Sequence, residues 1–172
     1  MAIPTSLRFH PDLKHPDGSR WPAMVALVTD GSGGTPVAIH RTFLTKAGAK
    51  APVTPVKMML GPCAGGVVRL EPEAGERLLV GEGIETCLAV IQATGLPVWS
   101  ALSTSGLRSL RLPPTVREVT VLADGDAPGE GAAEACAIRL SRAGRTAAIA
   151  RPRWGADFAD MLLDGAVVGS FR

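Results

Sequence analysis

Tyrosine is absent from the 172 residues. Any reaction that parks a nucleic-acid strand on a tyrosyl hydroxyl, topoisomerase-type cleavage above all, is therefore closed to this chain. Lysine stops at Lys57, which excludes aspartate phosphatases of the haloacid dehalogenase type and response-regulator receivers, since both neutralise phosphoryl oxygens with a late lysine. Neither Gly-x-x-x-x-Gly-Lys nor Gly-x-Gly-x-x-Gly follows an apolar strand, so P-loop and dinucleotide-binding sites are also excluded. The three cysteines, Cys63, Cys87 and Cys136, form no C-x-x-C pair. That usage suits a reducing compartment, argues against a zinc ribbon and reads as buried thiols. Apolar runs fall well short of the ~20 residues of a membrane span; the run around Val116 to Ala123 is broken by Arg117, Glu118 and Thr120. The first fourteen residues carry no apolar stretch of the secretory kind. The expectation is a cytoplasmic protein without a membrane partner.

Carboxylates are missing from one long stretch. None lies between Asp30 and Glu71, while Arg41, Lys46, Lys50, Lys57 and Arg69 all do. Residues 1–70 hold eight Lys or Arg against three Asp, and residues 71–172 hold ten Arg against thirteen Asp or Glu. The net charge of +2 thus conceals a basic front and an acidic back. A basic cluster of this kind suits phosphodiester or triphosphate groups; the bland alternative is a solvated loop face. A hydrophobic content of 46% is enough for one core, and the length suits about one domain with a small appendage. Twenty glycines and fourteen prolines call for many turns and short elements.

Along the chain, Trp21 to Thr29 alternates as a strand, Asp30 to Gly34 is a turn, and Pro36 to Leu44 returns as its hairpin partner. A basic loop runs on to Val56, and Gly66 to Leu70 is a further short strand. The polar break at Glu71 to Glu76 divides a β-rich basic subdomain, residues 1–75, from residues 76–172. There, short apolar strands alternate with helices. Strands are expected at Arg77 to Gly81, Pro97 to Leu102, Glu118 to Ala123 and Arg145 to Ala150. Helices are expected from Ile84 to the Gly95 stop, over Ser103 to Leu110, from Gly129 to Ala143, and over Asp157 to Leu163. Four such strands imply a parallel sheet with right-handed crossovers, whose sites lie beyond the carboxyl ends of its strands.

Two of those ends finish in acids: Gly81-Glu82-Gly83 and Ala123-Asp124-Gly125-Asp126. In extended chain residues two apart share a side, so Asp124 and Asp126 can face one ion. Asp157 and Asp160, three apart, share a helix face. Gathered carboxylates repel unless they hold a cation, and all-oxygen donors favour Mg²⁺ or Mn²⁺. Taken singly, Asp124 to Asp126 reads equally as a turn and Glu82 as a helix cap. The scattered His10, His15 and His40 read as structural, and Trp21, Trp99 and Trp154 as packing residues.

Taken in order, Gly81-Glu82-Gly83-Ile84-Glu85-Thr86, Ala123-Asp124-Gly125-Asp126 with Pro128-Gly129, and Asp157-Phe158-Ala159-Asp160-Met161-Leu162-Leu163 resemble the three signatures of a Toprim domain, nearest to the primase-type Toprim proteins of phages, plasmids and mobile elements. The similarity extends to Leu7-Arg8-Phe9-His10-Pro11, Ile39 to Leu44 and Lys57 to Gly61, which resemble the segment preceding Toprim in these primases. The resemblance implies an α/β fold: a Toprim-like four-stranded parallel sheet flanked by helices, preceded by a small β-rich N-terminal subdomain. It implies metal-dependent nucleotidyl transfer, primase-like primer synthesis on a single-stranded DNA template from nucleoside triphosphates, with Mg²⁺ or Mn²⁺. Glu82 would be the general acid or base, Asp124 and Asp126 metal ligands, and Asp157 and Asp160 the completion of the metal site. Arg41, Lys50 and Lys57 would hold phosphates. No zinc-binding or helicase segment is recognisable, so a helicase or zinc-binding module on a separate or trimmed chain is the implied partner. A Toprim nuclease and a non-catalytic nucleic-acid-binding module are the alternatives. A second course for the strand, along Arg139, Arg142, Arg145, Arg151 and Arg153, is the alternative to the basic front.

Overall fold

A computed structural model describes residues 2–71, 74–152 and 158–163. Among the described residues thirteen elements follow one another: β1 (Leu7–Lys14), β2 (Arg20–Asp30), β3 (Pro36–Phe43), β4 (Lys57–Leu60), β5 (Gly66–Arg69), β6 (Arg77–Gly81), α1 (Ile84–Thr94), β7 (Val98–Ser100), α2 (Thr104–Ser109), β8 (Glu118–Leu122), α3 (Ala127–Arg142), β9 (Thr146–Ala150) and α4 (Phe158–Leu163). The alternation expected after residue 76 is present. Strands β7, β6, β8 and β9 lie side by side in that order, and every pair among them is parallel. Asp157, the expected cap of α4, and Arg153 and Trp154 lie outside the described residues.

The β-rich front is part of the same sheet. Its order is β4-β3-β2-β5-β7-β6-β8-β9, with β1 also on β2. Strand β2 is long enough to use one edge twice: Arg20 to Ala26 pair with β1, and Thr29 and Asp30 with β5. Strand β5 then pairs antiparallel with β7, Val68 opposite Ser100 and Arg69 opposite Trp99. The hairpin of β2 and β3 follows the sequence expectation. Strands β1 and β4 are additions to it. Five consecutive residues of β1 are exposed, so its sequence carries no alternation to read, and β4 has only four residues.

Helices cover both faces of the parallel part. On one side Leu78, Val80, Trp99, Val119 and Val121 pack with Leu107 of α2 and Ala132, Ala133, Cys136 and Leu140 of α3. On the other, Leu79, Val98 and Leu122 pack with Ile84, Cys87, Val90 and Ile91 of α1, Phe158 of α4, and Leu7, Ala26, Val28 and Ala38 from the front strands. The apolar faces of both parts therefore share one core. Trp99 is fully buried; its indole N–H donates to the Glu71 carbonyl at 2.8 Å, and the Arg69 guanidinium lies 4.2 Å from its ring centroid. That stacking, with Arg69 donations to the Asp30 and Gly31 carbonyls, commits one of the five front cations to structure. Burying a side chain of this class stabilises by about 1.5–3 kcal/mol.

Local chemistry sets the helix ends. Gly95 closes α1 in the left-handed conformation, φ +67°, its N–H reaching the Ile91 carbonyl, a geometry that costs a residue with a Cβ. Ser103 caps α2 by accepting from the Gly106 N–H at 3.0 Å. Cys87 and Cys136 are buried and all three cysteines are free, as expected of structural thiols. Among the described residues no helix is long and apolar enough to cross a membrane.

Candidate active site

Parallel pairing brings the acids together. Strands β6 and β8 are neighbours with Val80 opposite Val121, and parallel neighbours in a sheet lie about 4.8 Å apart with their carboxyl ends at one edge. Glu82 directly follows β6, and Asp124 and Asp126 follow β8 by two and four residues. Burial, with repulsion from Asp124 and then Asp126, pushes the Glu82 carboxyl above the ordinary carboxylate range, while Lys57 pulls it back. The Glu82 carboxyl thus feels both aspartates.

Glu82 and Asp126 are held differently. Helix α1 has Gly83 as its N-cap, without a side-chain cap bond, so Glu82 is not the cap that its position allowed. Its backbone carbonyl is instead fixed by two donors from the loop after β7: the Ser100 hydroxyl at 2.6 Å and the Leu102 N–H at 2.9 Å. Leu102 reaches that position at φ +69°, the sole described non-glycine residue at positive φ. Such a backbone is costly for a γ-branched residue, and here it closes a turn onto the acid-bearing segment. Asp126 caps α3, its Oδ1 accepting from the Gly129 N–H at 2.7 Å. A Cβ on Gly129 would stand 2.8 Å from that oxygen and 2.9 Å from the Asp124 Cβ, so only a glycine lets the helix start against the two-aspartate turn.

Asp160 lies on α4, which packs against α1, and Asp157 falls outside the described residues. Among the described residues no three acid, histidine or cysteine side chains close to metal-ligating spacing. The donors nonetheless fit a hard divalent cation: all are carboxylate oxygens, and Glu82 is driven towards its protonated form by burial and by its two neighbours. A cation would relieve that repulsion.

The basic residues divide. Lys57, on β4, ion-pairs with Glu85 in the first turn of α1, Nζ to Oε1 3.1 Å. Burial pushes Glu85 upwards, yet its own backbone N–H and Lys57, with Lys50 beyond, hold it below the ordinary range. Lys50 and Lys57 therefore lie at the acid-bearing edge, and the stretch that lacks acids in sequence meets one in space. Arg41 pairs with Met58 on β4 while Thr42 pairs with Lys57, so alternation sets Arg41 on the opposite sheet face. Three of the five arginines of the alternative course are occupied, and Arg153 lies outside the described residues. Arg139 donates to the carbonyls of Arg108 and Leu110, Arg145 to those of Val116, Leu112 and Pro113, and Arg151 pairs with Glu130.

Sequence reasoning missed Ser100 and Leu102 as parts of this site. A polar residue ending the apolar strand Val98-Trp99-Ser100 was the readable signal for the first. Nothing in the sequence marks Leu102. Gly129, three residues after Asp126, stands in the quoted signature, but its part in accommodating the aspartates is visible only in the fold.

Comparison with known proteins gives a consistent frame. The Toprim domain family matches residues 77–166, and a domain family of unknown function, DUF7146, matches residues 1–70. Among curated proteins none matches the chain in sequence. Among solved structures, the primase fragment of the bacteriophage T7 primase-helicase protein is similar at 18% identity and TM-score 0.60, over 83% of this chain and 63% of that one. The zinc-binding and RNA polymerase domains of the Aquifex aeolicus primase are similar at 15% identity and TM-score 0.61, over 90% of this chain and 41% of that one. A primase catalytic domain bound to single-stranded DNA is similar at 16% identity and TM-score 0.59, over 90% and 52%. The chain spans about half the length of such primase structures. At these identities the likeness establishes the fold.

Proposed function

The chain belongs to the Toprim family and has the fold of primase catalytic domains, and from that premise we propose that it carries out metal-dependent nucleotidyl transfer on nucleic acid, building a primer on single-stranded DNA from nucleoside triphosphates. The observation that carries this reading is the meeting of Glu82, Asp124 and Asp126 at adjacent parallel strand ends with Lys57 acting on the same cluster. Asp124 and Asp126 would hold Mg²⁺ or Mn²⁺, with Asp160 and Asp157 completing the set. When bound, such an ion supplies charge stabilisation at phosphoryl oxygens.

The chain's own groups supply the rest. Glu82, pushed above the ordinary carboxylate range by burial and its neighbours, would serve as general acid or base. Its backbone is tied to the β7 loop through Ser100 and Leu102, so the carboxyl is aimed by a fixed segment. Lys50 and Lys57, with Arg41 on the other face of β3, would hold the phosphates of strand and nucleotide. Cations beside the acids favour transfer from a triphosphate over hydrolysis by water, because the leaving pyrophosphate carries more charge to neutralise. A helicase or zinc-binding module, on a separate or trimmed chain, is the proposed partner for choosing initiation sites.

The test is incubation with single-stranded DNA, labelled nucleoside triphosphates and Mg²⁺ or Mn²⁺. Extended products that vanish in Asp124→Asn support the proposal. Shortened products would replace it by a Toprim nuclease, and unchanged DNA with intact binding by a non-catalytic module.

A further inference from the structure

Phe9 is 70% exposed on β1, whereas Leu7, two residues earlier and on the same face, is 6% exposed. Pairing continues Phe9 to Met24 on β2, Met24 to Thr42 on β3, and Thr42 to Lys57 on β4. Residues joined in one such row point to one side of a sheet. The exposed ring therefore shares a face with the lysine that acts on Glu82 and Glu85, three inter-strand steps away, or about 14 Å. The adjacent row on this face is Leu7, Ala26, His40 and Met59, whose first two members pack in the core shared with α1.

The surroundings of Phe9 select its occupant. Arg8, His10, Pro11 and Asp12 are all exposed, so the ring is a single aromatic among polar neighbours rather than part of a broad apolar face. Leu27 and Leu60, the other exposed apolar side chains of these strands, pair through Ile39 in a row on the opposite face. A lone exposed ring with a thioether beside it and a cation in the same row matches what single-stranded nucleic acid requires: one flat surface for a base and one charge for a phosphate.

We propose that Phe9 is a stacking platform for a base of the single-stranded nucleic acid whose phosphates lie on Lys50 and Lys57. The proposal rests on the reading of this sheet as the nucleic-acid face. Phenylalanine has no polar tip, so its contribution comes from its ring alone and is independent of salt.

Fluorescence anisotropy with an oligothymidylate, and with an abasic strand of equal length, tests it. Phe9→Ala is expected to weaken oligothymidylate binding by roughly 5- to 150-fold. Its affinity for the abasic strand should stay at the wild-type value, and its salt slope should be unchanged. Lys57→Ala should instead weaken both and flatten the slope by about 0.7. Phe9→Trp should restore affinity and show emission quenched by the oligonucleotide. Equal oligothymidylate affinity in Phe9→Ala and wild type overturns the proposal and leaves the ring as a protein-docking residue, and equal losses on both strands also overturn it. A wild-type chain that binds neither strand overturns the nucleic-acid reading itself. Should the alanine variant fail to fold, Phe9→Leu, which keeps apolar area without the π face, decides the matter by the same comparison.

Discussion

Gly129→Ala puts the proposed relation between α3 and the two-aspartate turn under direct strain. The new methyl would lie 2.8 Å from Asp126 Oδ1, 2.9 Å from the Asp124 Cβ and 3.2 Å from the Asp124 carbonyl oxygen. Two of these are closer than real Cβ contacts come, and the third is backbone, so the turn has to move. Overpacking of this kind costs about 1–3 kcal/mol. Alanine in place of glycine within a helix returns roughly 0.5–1 kcal/mol. If Asp126 swings aside, its cap bond to the Gly129 N–H is also lost, at about 0.5–2 kcal/mol. Overpacking wins, and the variant should be less stable by roughly 1–3 kcal/mol, a fall of about 2–4 °C in Tm per kcal/mol for a chain of this size. Gly131, one half-turn on, is the control: its Cβ would meet nothing nearer than Arg108 Nη2 at 3.5 Å. Gly131→Ala should therefore gain the propensity term and melt higher. Thermal unfolding by circular dichroism, paired with Mn²⁺ titration, reads both. Mn²⁺ binding should weaken in Gly129→Ala and persist in Gly131→Ala. A Gly129→Ala protein that melts higher and binds Mn²⁺ like wild type would refute the argument.

Glu82→Gln should abolish turnover with the fold intact and should raise Tm at neutral pH. The folded state raises the Glu82 pKa, so its ionised form costs stability above that pKa, and the advantage of glutamine should fade as pH falls through it. Melting curves at pH 7 and pH 4.5 check the sign, and a variant less stable at pH 7 would count against the burial and repulsion assigned here. Burial, then Lys57 and Arg41, depresses His40 to about 4, against the opposing pull of Glu85. Unfolded chain protonates near 6.5, so stability contributed by neutral His40 should be lost progressively as pH falls from about 6.5 to about 4. Denaturant titrations across that range should lose part of their pH dependence in His40→Gln, and an unchanged profile would move the acid sensitivity elsewhere.

What could be read in the chain was whatever repeats locally. Val119 and Val121 alternate, Ala132, Cys136 and Leu140 recur at helical spacing, and Gly95 and Gly144 punctuate, so the parallel part was legible element by element. The placement of Glu82, Asp124 and Asp126 at one edge was legible as well, because they follow their strands by one, two and four residues and parallel neighbours put those ends together. Strand β1 was not, since five of its residues in a row face solvent and periodicity needs a buried side. The role of β5 as the joint between antiparallel and parallel strands depends on partners about thirty residues distant, which no local pattern reports. Charge showed the same limit. The basic front was plain by counting, but the pairing of Lys57 with Glu85 and the stacking of Arg69 on Trp99 arise only once β4 and β5 are in place, and they take two of its five cations into local contacts.

Two residues of β5 join the regions matched by two different families. Val68 pairs with Ser100, and Ser100 is the hydroxyl that holds the Glu82 carbonyl; Arg69 pairs with Trp99 and stacks on its ring. The splice between the halves is thus a single hydrogen-bond step from the acid. A chimaera that grafts a foreign front onto this Toprim half can vary β1 to β4 freely in length and sequence, but it has to deliver a strand in this register with a small residue facing Ser100. A slip of one position would turn Val68 out of the core and the cation off the indole, and the first casualty would be the aim of Glu82 rather than the fold.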